Sequence, residues 1–165
     1  MELLTVKNLT ISFGGIRALH EVDLSINEEE ILALIGPNGS GKTTLFNCIS
    51  GVYRQDEGEI VLVGESLKGL SPTEITRRGI GRTFQNIRLF DNMSVLDNLM
   101  LGRHINFKRN PAQALLRIRK EELRHREKVE DLVKFLDLQP YRKVRVVDCP
   151  YGIQKKVEIG RALAL

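Results

Sequence analysis

Little in this chain points to an oxidising compartment or to a bilayer. Cysteine occurs only at Cys48 and Cys149, far apart and in no metal-like spacing. That excludes a disulfide framework and a Cys-based zinc site, and it favours two free thiols in a cytosolic protein. No apolar run approaches the roughly 20 residues that a membrane helix needs, so any membrane role is expected to come through a partner. The opening MELLTVKNL lacks a basic stretch followed by an apolar one, and no secretory leader is expected. Charge of one sign is scarce too: 25 Lys and Arg stand against 21 Asp and Glu, a net charge of +4. Such an excess permits nucleic acid, acidic lipid or nucleotide phosphate as a partner and selects none of them. There is no internal repeat and no low-complexity tract. What remains is 165 residues, 42% hydrophobic and 28% charged, the make-up of a soluble globular protein with a core of its own.

One stretch carries chemistry outright. Gly36, Pro37, Asn38, Gly39, Ser40, Gly41, Lys42, Thr43 and Thr44 fit the pattern G-x-x-x-x-G-K-[ST]. The unbroken apolar run Ile31–Ile35 precedes it and predicts a strand buried on both faces. Thr43–Ser50 follows with helical character, and Gly51 is a plausible stop. Phosphates need converging N–H donors, a positive dipole and a cation. Glycines let the backbone wrap closely, the helix N-terminus adds partial positive charge, and Lys42 can reach the β- and γ-phosphates while the Thr43 hydroxyl ligates Mg²⁺.

The rest of the chain divides into three expected regions. Residues 1–30 read as antiparallel β structure. Leu9, Ile11 and Phe13 alternate with polar residues, Gly14-Gly15 makes a turn, and Val22, Leu24 and Ile26 alternate again. Residues 31–86 read as a nucleotide-binding core. It has further strands at Glu59–Val63, punctuated by Gly58 and Gly64, and at Ile80–Phe84, with a short helix between them that Ser71, Pro72 and Glu74 open and Gly79 ends. Residues 87–165 read as a helical subdomain. Ser94–Asp97 and Asn110–Gln113 are capping signatures. A long helix follows, with Leu115, Ile118, Leu123, Val129, Leu132, Val133 and Leu136 inward and a mixed-charge, solvated outer face, up to Pro140. A last helix runs over Gly152–Leu165, with Ile153, Val157 and Ala164 inward.

Three further features accompany the loop. Phe13 ends a strand, where an aromatic ring could stack on adenine. Gln85 ends another, where its amide could reach Mg²⁺ or an attacking water. Cys149, Pro150, Tyr151, Gly152, Ile153 and Gln154 open a helix whose free N–H groups could meet a phosphate. Each alone is commonplace; their order and spacing are not.

With these residues the chain resembles an ABC-transporter ATPase, and more narrowly the LivG type of bacterial branched-chain amino-acid importers. The resemblance spans the whole chain. It rests on Ser12–Leu19, on GPNGSGKTTLFNCISG, on Gly81–Phe90 (GRTFQNIRLF), on Met93–Leu99 (MSVLDNL) and on Tyr151–Leu163. It implies an α/β fold: a P-loop NTPase core with an N-terminal antiparallel β subdomain and a helical subdomain. It implies that Phe13 stacks on adenine, that Gly36–Thr44 bind ATP phosphates and Mg²⁺, that Gln85 touches Mg²⁺ and the attacking water and faces a permease, and that Tyr151–Gln154 meet the γ-phosphate held by a second ATPase subunit. The partners implied are transmembrane permease subunits, that second subunit in a homo- or heterodimer and, indirectly, a periplasmic binding protein. Nucleic acid is not among them. The implied location is peripheral, on the cytoplasmic face of the plasma membrane.

The chain also departs from the family pattern. The usual signature is Leu-Ser-Gly-Gly-Gln; here Cys149 replaces the Leu, Pro150 the Ser, Tyr151 the first Gly and Ile153 the Gln, so backbone amides and the helix dipole must suffice. The family's Mg²⁺-binding Asp, catalytic Glu and switch His are expected after the signature helix, beyond Leu165. Val144–Asp148 mimics the strand-then-Asp pattern, but it precedes the signature and carries Cys149 where the Glu belongs; His20, His104 and His125 do not fit the switch position. The expectation is a C-terminally truncated ATPase whose sheet has an unpaired, aggregation-prone edge, and which binds ATP weakly and does not hydrolyse it alone. The alternatives are the ATPase of a related system such as lipopolysaccharide export, a non-transport ABC protein, and a small-molecule kinase that shares only the loop.

Overall fold

Alternation of apolar and polar residues produces the longest hairpin of the chain. A computed structural model describes residues 1–83, 86–106 and 120–165, which divide into two compact units, Met1–Ile80 and Gly81–Leu165. In the first unit, β1 (Glu2–Phe13) pairs antiparallel with β2 (Ile16–Asn27) across the Gly14-Gly15 turn. Both turn residues have positive φ, as a two-residue hairpin loop demands. Both strands extend well beyond the alternating segments that the sequence marks. Leu4 and Val6 share the core with Leu9 and Ile11 although the two pairs are out of phase in sequence. The register shift between Val6 and Leu9, with Asn8 at φ 48°, supplies the phase change.

β3 (Glu57–Leu62) pairs with the other edge of β1, and β4 (Glu65–Ser66) pairs with β3, giving an antiparallel sheet of order β2-β1-β3-β4. Gly58 therefore lies inside a strand and does not merely precede one. It faces the irregularity at Asn8, and a Cβ there would meet the Asn8 and Lys7 carbonyl oxygens at 2.4 and 2.5 Å. Because residues 57–66 join the sheet of residues 2–27, the expected boundary near residue 30 does not divide the structure.

α1 (Lys42–Ile49) lays Leu45 and Cys48 on this sheet, and α2 (Pro72–Arg77) adds Ile75. α2 begins as the sequence predicts. The Glu74 backbone N–H donates to Ser71 Oγ at 3.4 Å, while Ser71 N–H and Oγ–H donate to the Glu74 carboxylate at 2.8 and 2.6 Å.

Two expected strands do not form. Ile31–Ile35 has no strand partner among the described residues, and Ile31 and Ile35 are 97% and 90% exposed. Ile80–Thr83 also runs without a ladder, and Phe84 lies outside the described residues. Apolarity marks surface that gains by burial, but a strand exists only where a neighbour supplies N–H and C=O groups. Here β1–β4 pair with one another and with neither segment.

In the second unit, α3 (Val95–Gly102), a 3₁₀ turn (Arg103–Asn106), α4 (Lys120–Phe135) and α5 (Tyr151–Leu163) surround a core of Val95, Leu99, Val129, Val133, Leu138 and Val157. Ser94 caps α3, accepting from Asp97 N–H at 3.1 Å. Val129 and Val133 form the buried stripe of α4; Leu123, expected on that stripe, is exposed. Six residues before Val129, it is turned about 240° around the helix, onto the face of Glu127 and Asp131. Arg124, Arg126, Glu127, Lys128 and Asp131 are solvated as expected, and Glu130 pairs with Arg142. Pro140 lies in a 3₁₀ turn, Gln139–Tyr141, that follows α4. The Asn110–Gln113 signature, Leu115 and Ile118 lie outside the described residues.

A fully buried polar side chain, Asn98, organises the segment before α3. Its Oδ1 accepts from Phe90 N–H at 2.9 Å, and its Nδ2 donates to the Phe90 and Ser94 carbonyls, both at 3.1 Å. Asn98→Leu leaves the Phe90 groups without these partners and should cost about 1–3 kcal/mol, seen as a lower urea midpoint for the α-helical signal. A second outcome concerns pH. The Ser71 hydroxyl and then its backbone N–H hold the Glu74 carboxyl below its ordinary value, with Arg78 and Arg77 adding to them. A depressed carboxyl stabilises fully above its unfolded value and loses that contribution as pH falls through its folded value. Ser71→Ala should lower the urea midpoint at pH 7, and its gap from the parent should narrow below about pH 4.

Candidate phosphate-binding site

The loop Gly36–Thr44 is exposed over its first half and ends on a helix with no side-chain cap. Gly41, at φ 87°, is the N-cap of α1. A Cβ at Gly41 would meet Leu19 Cδ2 at 2.7 Å and the Ala18 carbonyl oxygen at 2.8 Å, so only glycine lets the loop lie against β2. The bend between Pro37 and Ser40 closes through a Ser40 N–H bond to the Pro37 carbonyl at 3.3 Å, with Gly39 at φ 84°. The first intrahelical bond of α1 runs from Leu45 N–H to the Gly41 carbonyl at 2.9 Å, so the amides of Lys42, Thr43 and Thr44 have no intrahelical acceptor. Uncapped amides, the positive end of a helix dipole and a lysine at its first position fit an anion such as phosphate.

Lys42 does more here than project a charge. Its ammonium donates to the Gly36 and Pro37 carbonyls, each at 2.6 Å, and to Ser40 Oγ at 3.3 Å. It clasps the two ends of the loop, with its three donors on the loop's own oxygens. The Thr43 side chain is exposed beside it in the first turn of α1.

Phe13 stands at the end of β1, 44% exposed, and Tyr53 lies against it with ring centroids 5.1 Å apart and planes at 65°. Asp56 reinforces the junction: its carboxylate accepts from Ser12 N–H at 2.8 Å, and its N–H donates to the Thr10 carbonyl at 2.9 Å. Sequence reading singled out neither Tyr53 nor Asp56. Both lie in an aperiodic loop, and their significance comes from contacts about 40 residues back along the chain, which local pattern does not carry.

The second unit holds the other candidate residues. Pro150 is the N-cap of α5, and the Ile153 and Gln154 amides donate to its carbonyl at 2.9 and 3.1 Å. The Gln154 Nε2 turns back to the Cys149 carbonyl at 2.9 Å, and Ile153 packs on the core. Tyr151 is 68% exposed, and a Cβ on Gly152 would meet nothing within 4 Å. Of the four residues, Tyr151 and Gly152 thus offer open first-turn backbone, while Ile153 and Gln154 are committed to the unit itself. Val146–Asp148 is a 3₁₀ turn in which Asp148 pairs with Arg145 at 2.8 Å, so the strand-then-Asp mimic is no strand. Gln85 lies outside the described residues. The two thiols are free and buried, one in each unit; burial, aided by Asp56, pushes Cys48 up to about 11, and burial raises Cys149 as well. No cluster of His, Cys, Asp and Glu fit to hold a metal occurs among the described residues.

Known proteins resemble this chain in sequence and in fold. The chain is 37% identical over 164 residues to the high-affinity branched-chain amino acid transport ATP-binding protein BraF of Pseudomonas aeruginosa, and the match covers 98% of this chain and 64% of that protein. It is 38% identical over 166 residues to a probable branched-chain amino acid transport ATP-binding protein LivG of Methanocaldococcus jannaschii, covering 99% and 64%. The chain therefore spans about two thirds of the length of these relatives. Among solved structures, an ATP-binding cassette of an ABC transporter in its ADP conformation superposes with a TM-score of 0.82 at 34% identity, covering 99% of this chain and 65% of that one. A dimeric bacterial ABC transporter cassette gives a TM-score of 0.76 at 29% identity, covering 98% and 69%. The family model described as ABC transporter matches residues 19–165, all of the second unit and the first unit from Leu19 onward, and the chain belongs to that family.

Proposed function

We propose that this chain is the nucleotide-binding part of an ATPase subunit that powers uptake of branched-chain amino acids. The observation that carries the reading is the Lys42-clasped loop on the uncapped N-terminus of α1. The names of the relatives support the cargo. In this reading Gly36–Thr44 bind the phosphates of ATP through backbone amides, and Lys42 moves part of its bonding from the loop carbonyls to phosphate oxygen. Phe13 stacks on adenine. The Thr43 hydroxyl and the Gln85 amide would hold Mg²⁺, which would supply charge neutralisation at the phosphates.

The same reading gives the open backbone of Tyr151 and Gly152 to the γ-phosphate on a second ATPase subunit, as the likeness to a dimeric cassette suggests. Permease subunits, and through them a periplasmic binding protein, complete the assembly on the cytoplasmic face of the membrane. No described helix is long and apolar enough to cross a membrane, which leaves the crossing to those partners.

Lys42→Ala should weaken ATP binding about tenfold to a hundredfold, the worth of a charge-assisted hydrogen bond to phosphate, measured by calorimetric titration. In cells that depend on this subunit it should also abolish uptake of labelled leucine. Unchanged ATP affinity would remove the phosphate-binding reading. Loss of binding with leucine uptake intact would remove the cargo.

A further inference from the structure

We infer that Tyr53 is a positioning residue for nucleotide binding: it fixes the ring of Phe13 in the orientation that receives the base. The inference rests on the reading of Phe13 as the base-stacking ring and goes beyond it. A phenyl group at a strand end can turn about its side-chain bonds, and a base gains most from a ring already held in place. Tyr53 meets Phe13 in an edge arrangement, at 5.1 Å and 65°, which fixes the ring plane while 44% of Phe13 stays open.

Tyr53 is itself held. Its N–H donates to the Asn47 carbonyl at 3.1 Å, and the N–H of Val52 donates to the same oxygen at 2.8 Å, so its backbone is tied to the C-terminal turn of α1. Three residues on, Asp56 joins the loop to Ser12 and Thr10, the residues just before Phe13. α1 therefore serves the site at both ends. Its first turn carries the phosphate loop, and its last turn, through Asn47 and Tyr53, sets the ring at the end of β1. The span between them is about 12 Å of helix, a rigid spacer between the phosphate-binding and base-binding parts.

The test compares two ligands on the purified protein: ATP, and inorganic tripolyphosphate, which lacks the base. Tyr53→Leu should lower ATP affinity about threefold to tenfold and leave tripolyphosphate affinity as it was, and Tyr53→Phe, which keeps the ring, should restore the parent ratio. Tyr53→Met carries the same test should the leucine variant not fold. An unchanged ratio, or an equal loss for both ligands, would overturn the role of Tyr53. Phe13→Ala separates this inference from the reading beneath it. It should lower the ratio about tenfold or more. Should Phe13→Ala leave the ratio alone, the stacking reading falls and the inference with it; should only Tyr53→Leu leave it alone, the inference falls by itself.

Discussion

Strand β1 is hydrogen-bonded along both edges, by β2 on one side and β3 on the other, and the N-terminal unit is arranged around that double pairing. Two-sided pairing satisfies the strand's backbone groups and leaves its side chains to settle the core. The phase change at Asn8 then brings Leu4, Val6, Leu9 and Ile11 to a common core, on which α1 rests through Leu45 and Cys48. From this the position of the phosphate loop follows. Gly41 sits against Ala18 and Leu19 of β2, and Phe13 is the last residue of the strand that β2 and β3 enclose.

The second unit is organised by a different device. Its apolar side chains from α3, α4 and α5 would pack in more than one way, since Val and Leu contacts are not directional. Asn98 adds direction. Buried among those residues, it reproduces for Phe90 the paired N–H and C=O bonds that a neighbouring strand would give. The turn at Cys149–Gln154 is stabilised in a similar way, by a side-chain amide on a loop carbonyl.

The features legible in the sequence are those whose physics is local. The Gly14-Gly15 turn and the reciprocal cap of Ser71 and Glu74 each involve residues within one turn of chain, and each forms as read; the Gly36–Thr44 stretch opens a helix as expected, but without the strand expected before it. The family was legible for a related reason: its motifs are contiguous strings. Ile31–Ile35 shows the opposite case. Its hydrophobicity is plain, but whether it is a strand depends on a ladder partner, and none of β1–β4 is one. Tyr53, Asp56 and Asn98 were silent in the sequence because an aromatic, an acid and an amide in polar or mixed surroundings have no period. Gly58 was visible, but its reason, the irregular β1 backbone at Asn8, lies 50 residues away.

The two cysteines, one in each core, have a consequence for chemistry outside the nucleotide site. Oxidants attack the thiolate, and alkylation or disulfide exchange needs it exposed. With its thiol pushed up to about 11, Cys48 stays protonated at neutral pH, and Cys149 is shifted in the same direction by burial. Among the described residues the folded chain therefore presents no ready thiolate to peroxide or to another protein's disulfide, and the chemistry of both sulfurs waits on the opening of the core that covers each.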